Sequence, residues 1–165
     1  MTSINILGVT FTNHLSVSDH VRDVIARCGQ TLYAVKVHRT HGMSNDSLSD
    51  IYKAVVLAKL MYALPAWWGF TATSDRQQID AFVRRGVRFG LYNAGDPTPS
   101  QLARYADDTL FTRIMANKHH VLKPLLPDQR SQGYSLRPRR HNLSIAMKDD
   151  DRNFITRQLF IKTFY

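Results

Sequence analysis

Glutamate is missing from this chain: all 13 acidic residues are Asp, and they face 22 Lys and Arg. Carboxylate chemistry falls to Asp alone, and the net charge of +9 favours a polyanionic partner, nucleic acid or an acidic membrane surface. Cys28 is the only cysteine, so no intramolecular disulfide can form, which fits a reducing compartment, and no CxxC pair exists to build a structural zinc site. A long apolar run is lacking as well. The most apolar stretch, Ala54 to Phe70, is interrupted by Lys59 and Pro65 and is too short to span a bilayer, so it reads as a buried helix and not a membrane segment. No N-terminal stretch joins a basic start, an apolar run and a small-residue cleavage site, which argues against secretion and leaves nucleus and cytoplasm open.

What is present can bury a core. The 165 residues are 44% hydrophobic, within the size of one domain, and one compact body with a tail is expected. The positive charge is uneven: residues 1–117 hold 12 basic and 9 acidic side chains, residues 118–165 hold 10 and 4, so the last third is the stronger polyanion surface.

Ile4 to Phe11 is rich in β-branched and apolar residues and reads as one short strand, for which either a missing parent fold or a nearby hairpin must supply a partner. Ser16 and Asp19 have capping-box spacing and open a helix over about 18 to 39, with Val21, Val24, Ile25, Cys28, Leu32 and Val35 on one face. Ser44 caps a second helix, whose Leu48, Ile51, Tyr52, Val55, Val56, Lys59 and Tyr62 align at helical spacing until Pro65 ends it. Trp67, Trp68 and Phe70 form an apolar knot, read as core packing. Ser74 and Asp75 start a third helix with Ile79, Phe82, Val83 and Leu91 inward; Gly86 and Gly90 weaken it and could let another backbone come close. Thr98, Pro99 and Gln101 start a fourth over about 99 to 117, with Leu102, Ala106, Leu110 and Ile114 recurring along it. Residues 123–150, broken by Pro124, Pro127, Gly133 and Pro138, read as an extended arm, and Asn153 to Phe164 as a short terminal helix.

Tyr105-Ala-Asp-Asp108 has the letters of a polymerase active-site signature, in which adjacent carboxylates help hold two divalent metals. Inside a capped helix, neighbouring side chains diverge by about 100°. Asp107 and Asp108 are therefore expected to point apart on a solvated face, and no catalytic residue is assigned. Seven histidines, among them His38, His41, His119 and His120, lack the Cys partners that structural zinc prefers, and no metal site is assigned. The candidate binding residues are cationic. Arg84, Arg85 and Arg88 sit one and four apart on the third helix, where they either straddle phosphates or form a solvated polar face. Arg137, Arg139 and Arg140, with His141 and the stackable Tyr134, form the stronger patch, for nucleic acid or as a nuclear-localisation cluster.

Five blocks carry a family resemblance. Ile4-Asn-Ile-Leu-Gly-Val-Thr-Phe11 with the following helix, Tyr62-Ala-Leu-Pro-Ala-Trp-Trp68, Asn117-Lys-His-His-Val-Leu-Lys-Pro-Leu-Leu-Pro127, Leu136-Arg-Pro-Arg-Arg-His-Asn142 and Asn153 to Tyr165 resemble, in order, the C-terminal portion of a LINE-type (non-LTR) retrotransposon reverse transcriptase of the jockey-like or chicken-repeat-like kind. The resemblance implies that residues 1–15 are the end of the palm, 16–122 a helical thumb-like domain and 123–165 a basic C-terminal arm. In the family the catalytic signature precedes the Leu-Gly-Val strand, whereas Tyr105 to Asp108 follows Leu7-Gly8-Val9 by almost a hundred residues. The catalytic palm with its Mg2+ would thus lie upstream of Met1, and the start of the strand so close to Met1 suggests a truncated reading frame.

The expected fold is mainly α: a short N-terminal strand, a four-helix thumb-like bundle, an extended basic arm and a short C-terminal helix. The implied function is that of a reverse-transcriptase fragment that binds template–primer RNA or RNA–DNA hybrid without polymerising and needs no cofactor or small-molecule substrate of its own. The alternative is an inert remnant or a mispredicted gene fragment.

Overall fold

The computed structural model describes residues 3–129, 143–144 and 152–164. It is mainly helical with one small sheet, and the chain divides into two compact units, Met1–Ala103 and Arg104–Tyr165. The first sequence block is a hairpin where a single strand is expected. Strand β1 (Ser3–Ile6) pairs antiparallel with β2 (Val9–Thr12), Ile6 opposite Val9 and Ser3 opposite Thr12. Leu7 and Gly8 both take positive φ (49° and 87°), the two-residue geometry whose twist matches that of the strands. The Asn5 side chain accepts the Gly8 N–H at 3.0 Å. The partner required by an isolated strand thus comes from within the same eight residues.

Helix α1 (Ser18–Thr40) buries Val21, Val24, Cys28, Leu32 and Val35, the face its periodicity predicts. Its start differs. The Ser16–Asp19 capping box does not form; Asp19 pairs with Arg22, and the Ser18 hydroxyl donates instead to Asp75 Oδ2 at 2.9 Å. That same buried carboxylate accepts the Ala72 N–H at 3.0 Å, so one Asp anchors the starts of two helices that pack together, α1 and α5 (Thr73–Arg88).

Ser44 caps α2 (Asn45–Ile51) as expected, its hydroxyl accepting the Ser47 N–H at 3.3 Å. The helix then widens into a π-helical stretch, Tyr52–Leu57, before α3 (Ala58–Leu60). Each residue of a wide turn advances less than an α-helical one, so six of them shift the inward face by about 100°. Val55, expected inside, is accordingly exposed, while Val56, Leu57 and Leu60 are buried; Tyr62, also expected inside, lies in the turn after α3 and is exposed. The buried Cys28 thiol donates to the Val56 carbonyl at 3.6 Å, and burial pushes its pKa up to about 11, which leaves it a packing group and not a nucleophile.

Pro65 does not end this helix. Ala63 in the left-handed conformation (φ 51°) breaks it, and Pro65 sits in the first turn of the short α4 (Leu64–Trp67), where its missing N–H costs nothing. Trp67 and Trp68 are buried as core residues, the Trp67 indole donating to the Tyr62 carbonyl at 2.8 Å and packing edge-on against buried His20, whose pKa burial lowers. The hairpin and this segment meet directly: the Tyr62 hydroxyl donates to the Leu7 carbonyl at 3.2 Å, and Phe11 lies edge-on to Phe70 at 5.9 Å.

Helix α5 buries Ile79, Phe82 and Val83, as its pattern predicts. Neither of its glycines receives another backbone. Gly86 is met by the Tyr52 ring, and Gly90 (φ 66°) lies beyond the helix end, where the Leu91 N–H reaches the Gly86 carbonyl at 3.0 Å and the Gly90 N–H the Val87 carbonyl at 2.9 Å. Those two bonds are the Schellman stop that a glycine at this position permits.

Thr98 and Gln101 close the expected capping box on α6 (Pro99–Ala116), the Gln101 side chain accepting the Thr98 N–H at 2.7 Å. The buried stripe of α6 is Ala103, Asp107, Phe111 and Ile114; Leu102, Ala106 and Leu110, expected inside, are only half-buried. In the second unit Phe111, Leu143 and Leu159 form a small cluster with Met115, Leu126, Phe154 and Ile155 against it, and α7 (Phe154–Phe164) supplies the terminal helix. Residues 130–142 and 145–151, most of the expected basic arm, lie outside the described residues. No described helix is long and apolar enough to cross a membrane.

Candidate nucleic-acid interface

The C-terminal half of α5 carries three exposed arginines, and the fold divides them. Arg84 and Arg88, one turn apart on the outer face, line an open groove of about 840 Å³. Val83, Val87 and Pro97 give it an apolar floor, and the rest of the loop from Tyr92 with the first residues of α6 walls it. Arg85 is not part of it. Its guanidinium lies 4.9 Å over the Phe82 ring, and Lys36 of α1 sits 3.7 Å over the Phe89 ring. Cations stacked in this way keep their charge at the surface while their stems cover apolar rings.

The loop wall is held by its own polar groups. Tyr92 is buried and donates its hydroxyl to the Pro97 carbonyl at 2.7 Å; burial raises its pKa, with Asp96 adding to the shift. Asp96 Oδ2 accepts the Asn93 N–H at 3.2 Å and lies 3.8 Å from Lys53 Nζ. The Ser49 hydroxyl reaches the Leu91 carbonyl at 3.1 Å and ties the loop to α2. A smaller cavity of about 370 Å³, lined by Lys53, Leu57 and Met61, shares Tyr92, Asp96 and Pro97 with the first. Lys36 and Lys53 carry no binding signal in the sequence; only tertiary packing sets Lys36 over Phe89 of α5 and Lys53 beside Asp96 of the loop.

Arg137, Arg139 and Arg140, the other expected cations, lie outside the described residues with Tyr134 and His141. Asp107 is where expectation and structure part most clearly. It lies on α6, yet it is buried, not solvated: Oδ2 accepts Arg157 Nη2 at 2.8 Å, Arg157 Nε at 3.1 Å and the Gln158 amide at 3.3 Å. Burial raises its pKa, opposed by the charge and hydrogen bonds of Arg157 and by Gln158, with Asp108 adding to the rise. Its second oxygen, Oδ1, is buried without a partner, as is Gln158 Oε1. The periodicity pointed to the Leu stripe one residue away, since a buried carboxylate is expected only where a cation from elsewhere meets it.

No three His, Cys or Asp side chains gather as a metal-holding group among the described residues. His120 Nδ1 accepts the Leu122 N–H at 3.1 Å and so serves a turn. Compared with family models, curated proteins and solved structures, the chain has no match.

Proposed function

We propose that the chain is the post-palm part of a non-LTR retrotransposon reverse transcriptase, whose own activity is sequence-independent binding of template–primer nucleic acid without polymerisation. The observation that carries the binding is the exposed Arg84–Arg88 pair, one turn apart on α5, in a chain of net charge +9. Five ordered blocks of resemblance support the parentage. On this reading the hairpin is the last piece of palm, residues 16–122 form the four-helix thumb-like bundle, and residues 123–165, with Arg137, Arg139 and Arg140, form the basic arm. Asp107, engaged by Arg157 on a helix, supports a structural role for the Tyr105 to Asp108 tetrapeptide, with the Mg2+ carboxylates of the parent enzyme supplied by its palm.

Backbone binding of this kind releases counterions, so the logarithm of affinity for an RNA–DNA hybrid is expected to fall linearly with the logarithm of salt, by about 0.7–0.9 per phosphate contacted. Replacing Arg84 and Arg88 together by Gln should reduce that slope by about 2. Anisotropy titrations at several salt concentrations measure both, and a flat salt dependence would overturn the proposal.

The second reading, an inert remnant, is favoured by one feature. Ile4, Ile6 and Leu7 are 59%, 52% and 86% exposed on a two-stranded hairpin whose outer edge carries no further strand among the described residues. Exposed apolar edge strands are sites of self-association. Light scattering of the purified chain at micromolar concentration separates the readings: growth of aggregates that Ile4→Lys/Ile6→Lys abolishes, with no hybrid binding, is the remnant's signature.

A further inference from the structure

The groove on the outer face of α5 is mixed in character. Its two guanidiniums, Arg84 and Arg88, are matched by two carboxylates, Asp80 and Asp96, above an apolar floor that includes Val87 and Pro97. A run of phosphates laid along it would meet like charge at two points. A ligand with one phosphate and one flat apolar face would not. The phosphate suits the fork of an arginine, and two arginines a turn apart can hold it from both sides. The flat face suits the floor, and the volume of about 840 Å³ is ample for one such unit. Asp96 is already answered by the Asn93 N–H and Lys53, which leaves the guanidiniums dominant at the anion end. The start of α6 is not the source of the site, since Thr98 caps the Gln101 N–H and Pro99 has none.

We propose that this groove receives one unpaired nucleotide at the end of a nucleic-acid strand, its phosphate on Arg84 and Arg88 and its base over Val87 and Pro97. Bases inside a duplex cover each other's faces, and only an unstacked one has a face free to lie on such a floor. The inference rests on the nucleic-acid reading above and narrows it to strand ends.

The test uses the full chain and two labelled RNA–DNA hybrids, one blunt and one with a single unpaired 3′ nucleotide, in anisotropy titrations at fixed salt. The overhang is expected to tighten binding about tenfold. R84Q/R88Q should remove that gain, and so should V87F, which fills the floor without altering charge. Far-UV circular dichroism checks that each variant folds, and the arginine variant, at exposed positions, carries the test if V87F does not. Equal affinity for the two hybrids overturns the groove proposal and leaves the nucleic-acid reading standing, as does a gain that survives R84Q/R88Q. Failure of both hybrids to bind removes the broader reading and this one with it.

Discussion

Replacing Gly86 by Ala is expected to destabilise the first unit by about 1–3 kcal/mol, although the same change in an exposed helix would stabilise it by about 1 kcal/mol. A Cβ at this position would collide with the Tyr52 hydroxyl oxygen and Cζ. Tyr52 is fully buried and cannot swing into solvent, and Leu48, Val56 and Phe82 of the same core are no more exposed than about one part in a hundred. The ring or the α5 backbone must therefore move. The overpacking cost exceeds the gain in helix propensity, and the melting point followed by Trp67 and Trp68 fluorescence should fall by about 4–8 °C per kcal/mol lost. Tyr52→Phe points the other way. The hydroxyl is buried without a hydrogen-bond partner, and burial pushes its pKa up to about 12. Its removal should be neutral or stabilising by about 1 kcal/mol, because nothing is left unpaired by the change. A Gly86→Ala chain as stable as the parent, or a clearly destabilised Tyr52→Phe chain, would show that this contact is not as close as described.

The second large effect concerns Asp107. Asp107→Ala leaves the Arg157 guanidinium, only 15% exposed, without its carboxylate, and loss of one partner from a buried pair costs about 3–5 kcal/mol. Among the described residues of the second unit the buried cluster is Phe111, Leu143 and Leu159, which gives little with which to absorb that loss. Backbone amides of α7 should lose protection from hydrogen exchange while those of α1 and α5 keep theirs. Asp107→Asn keeps shape and an acceptor and should cost less. The pH dependence has a definite sign. Since burial raises the folded pKa of Asp107 above its ordinary value of 3.8, the folded unit binds the proton more tightly than the unfolded chain. The stability this group contributes is complete below pH 3.8 and is lost as pH rises through the folded pKa. Protection of α7 should thus decline over that interval, with Arg157, Gln158 and Asp108 as the facing groups, and Asp107→Asn should flatten the response. Equal protection of α7 in the parent and Asp107→Ala chains would rule out the pair as its tether.

The sequence anticipated what depends on neighbours along the chain. Helix α1 and its buried face, the Ser44 and Thr98 caps, the inward residues of α5 and the terminal helix all follow from spacing, capping chemistry and the placement of Pro and Gly. It failed where geometry is set by something distant or by backbone that does not keep the α-helical period. The π-helical stretch turned Val55 outward, a shift that no residue type between Tyr52 and Leu57 announces. Asp107 went inside because Arg157, fifty residues on, met it there. Asp75, expected only to open α5, also holds the start of α1.

The candidate site divides in the same way. The three arginines of α5 were legible as a cationic cluster from their spacing. That Arg84 and Arg88 face a groove while Arg85 stacks on Phe82 depends on where the Tyr92–Pro97 loop returns, which the Gly90 stop and the Asp96 and Tyr92 hydrogen bonds decide.

By itself the sequence determined a basic, mainly helical chain with no intramolecular disulfide, because composition, periodicity and capping act over a few residues. The tertiary structure alone decided that the blocks Ile4 to Phe11 and Tyr62 to Phe70 touch, through Tyr62 with Leu7 and Phe11 with Phe70. It also decided which arginines share a groove and which aspartate is buried. Each of these is a contact between segments tens of residues apart, formed only when hydrophobic burial brings distant surfaces together.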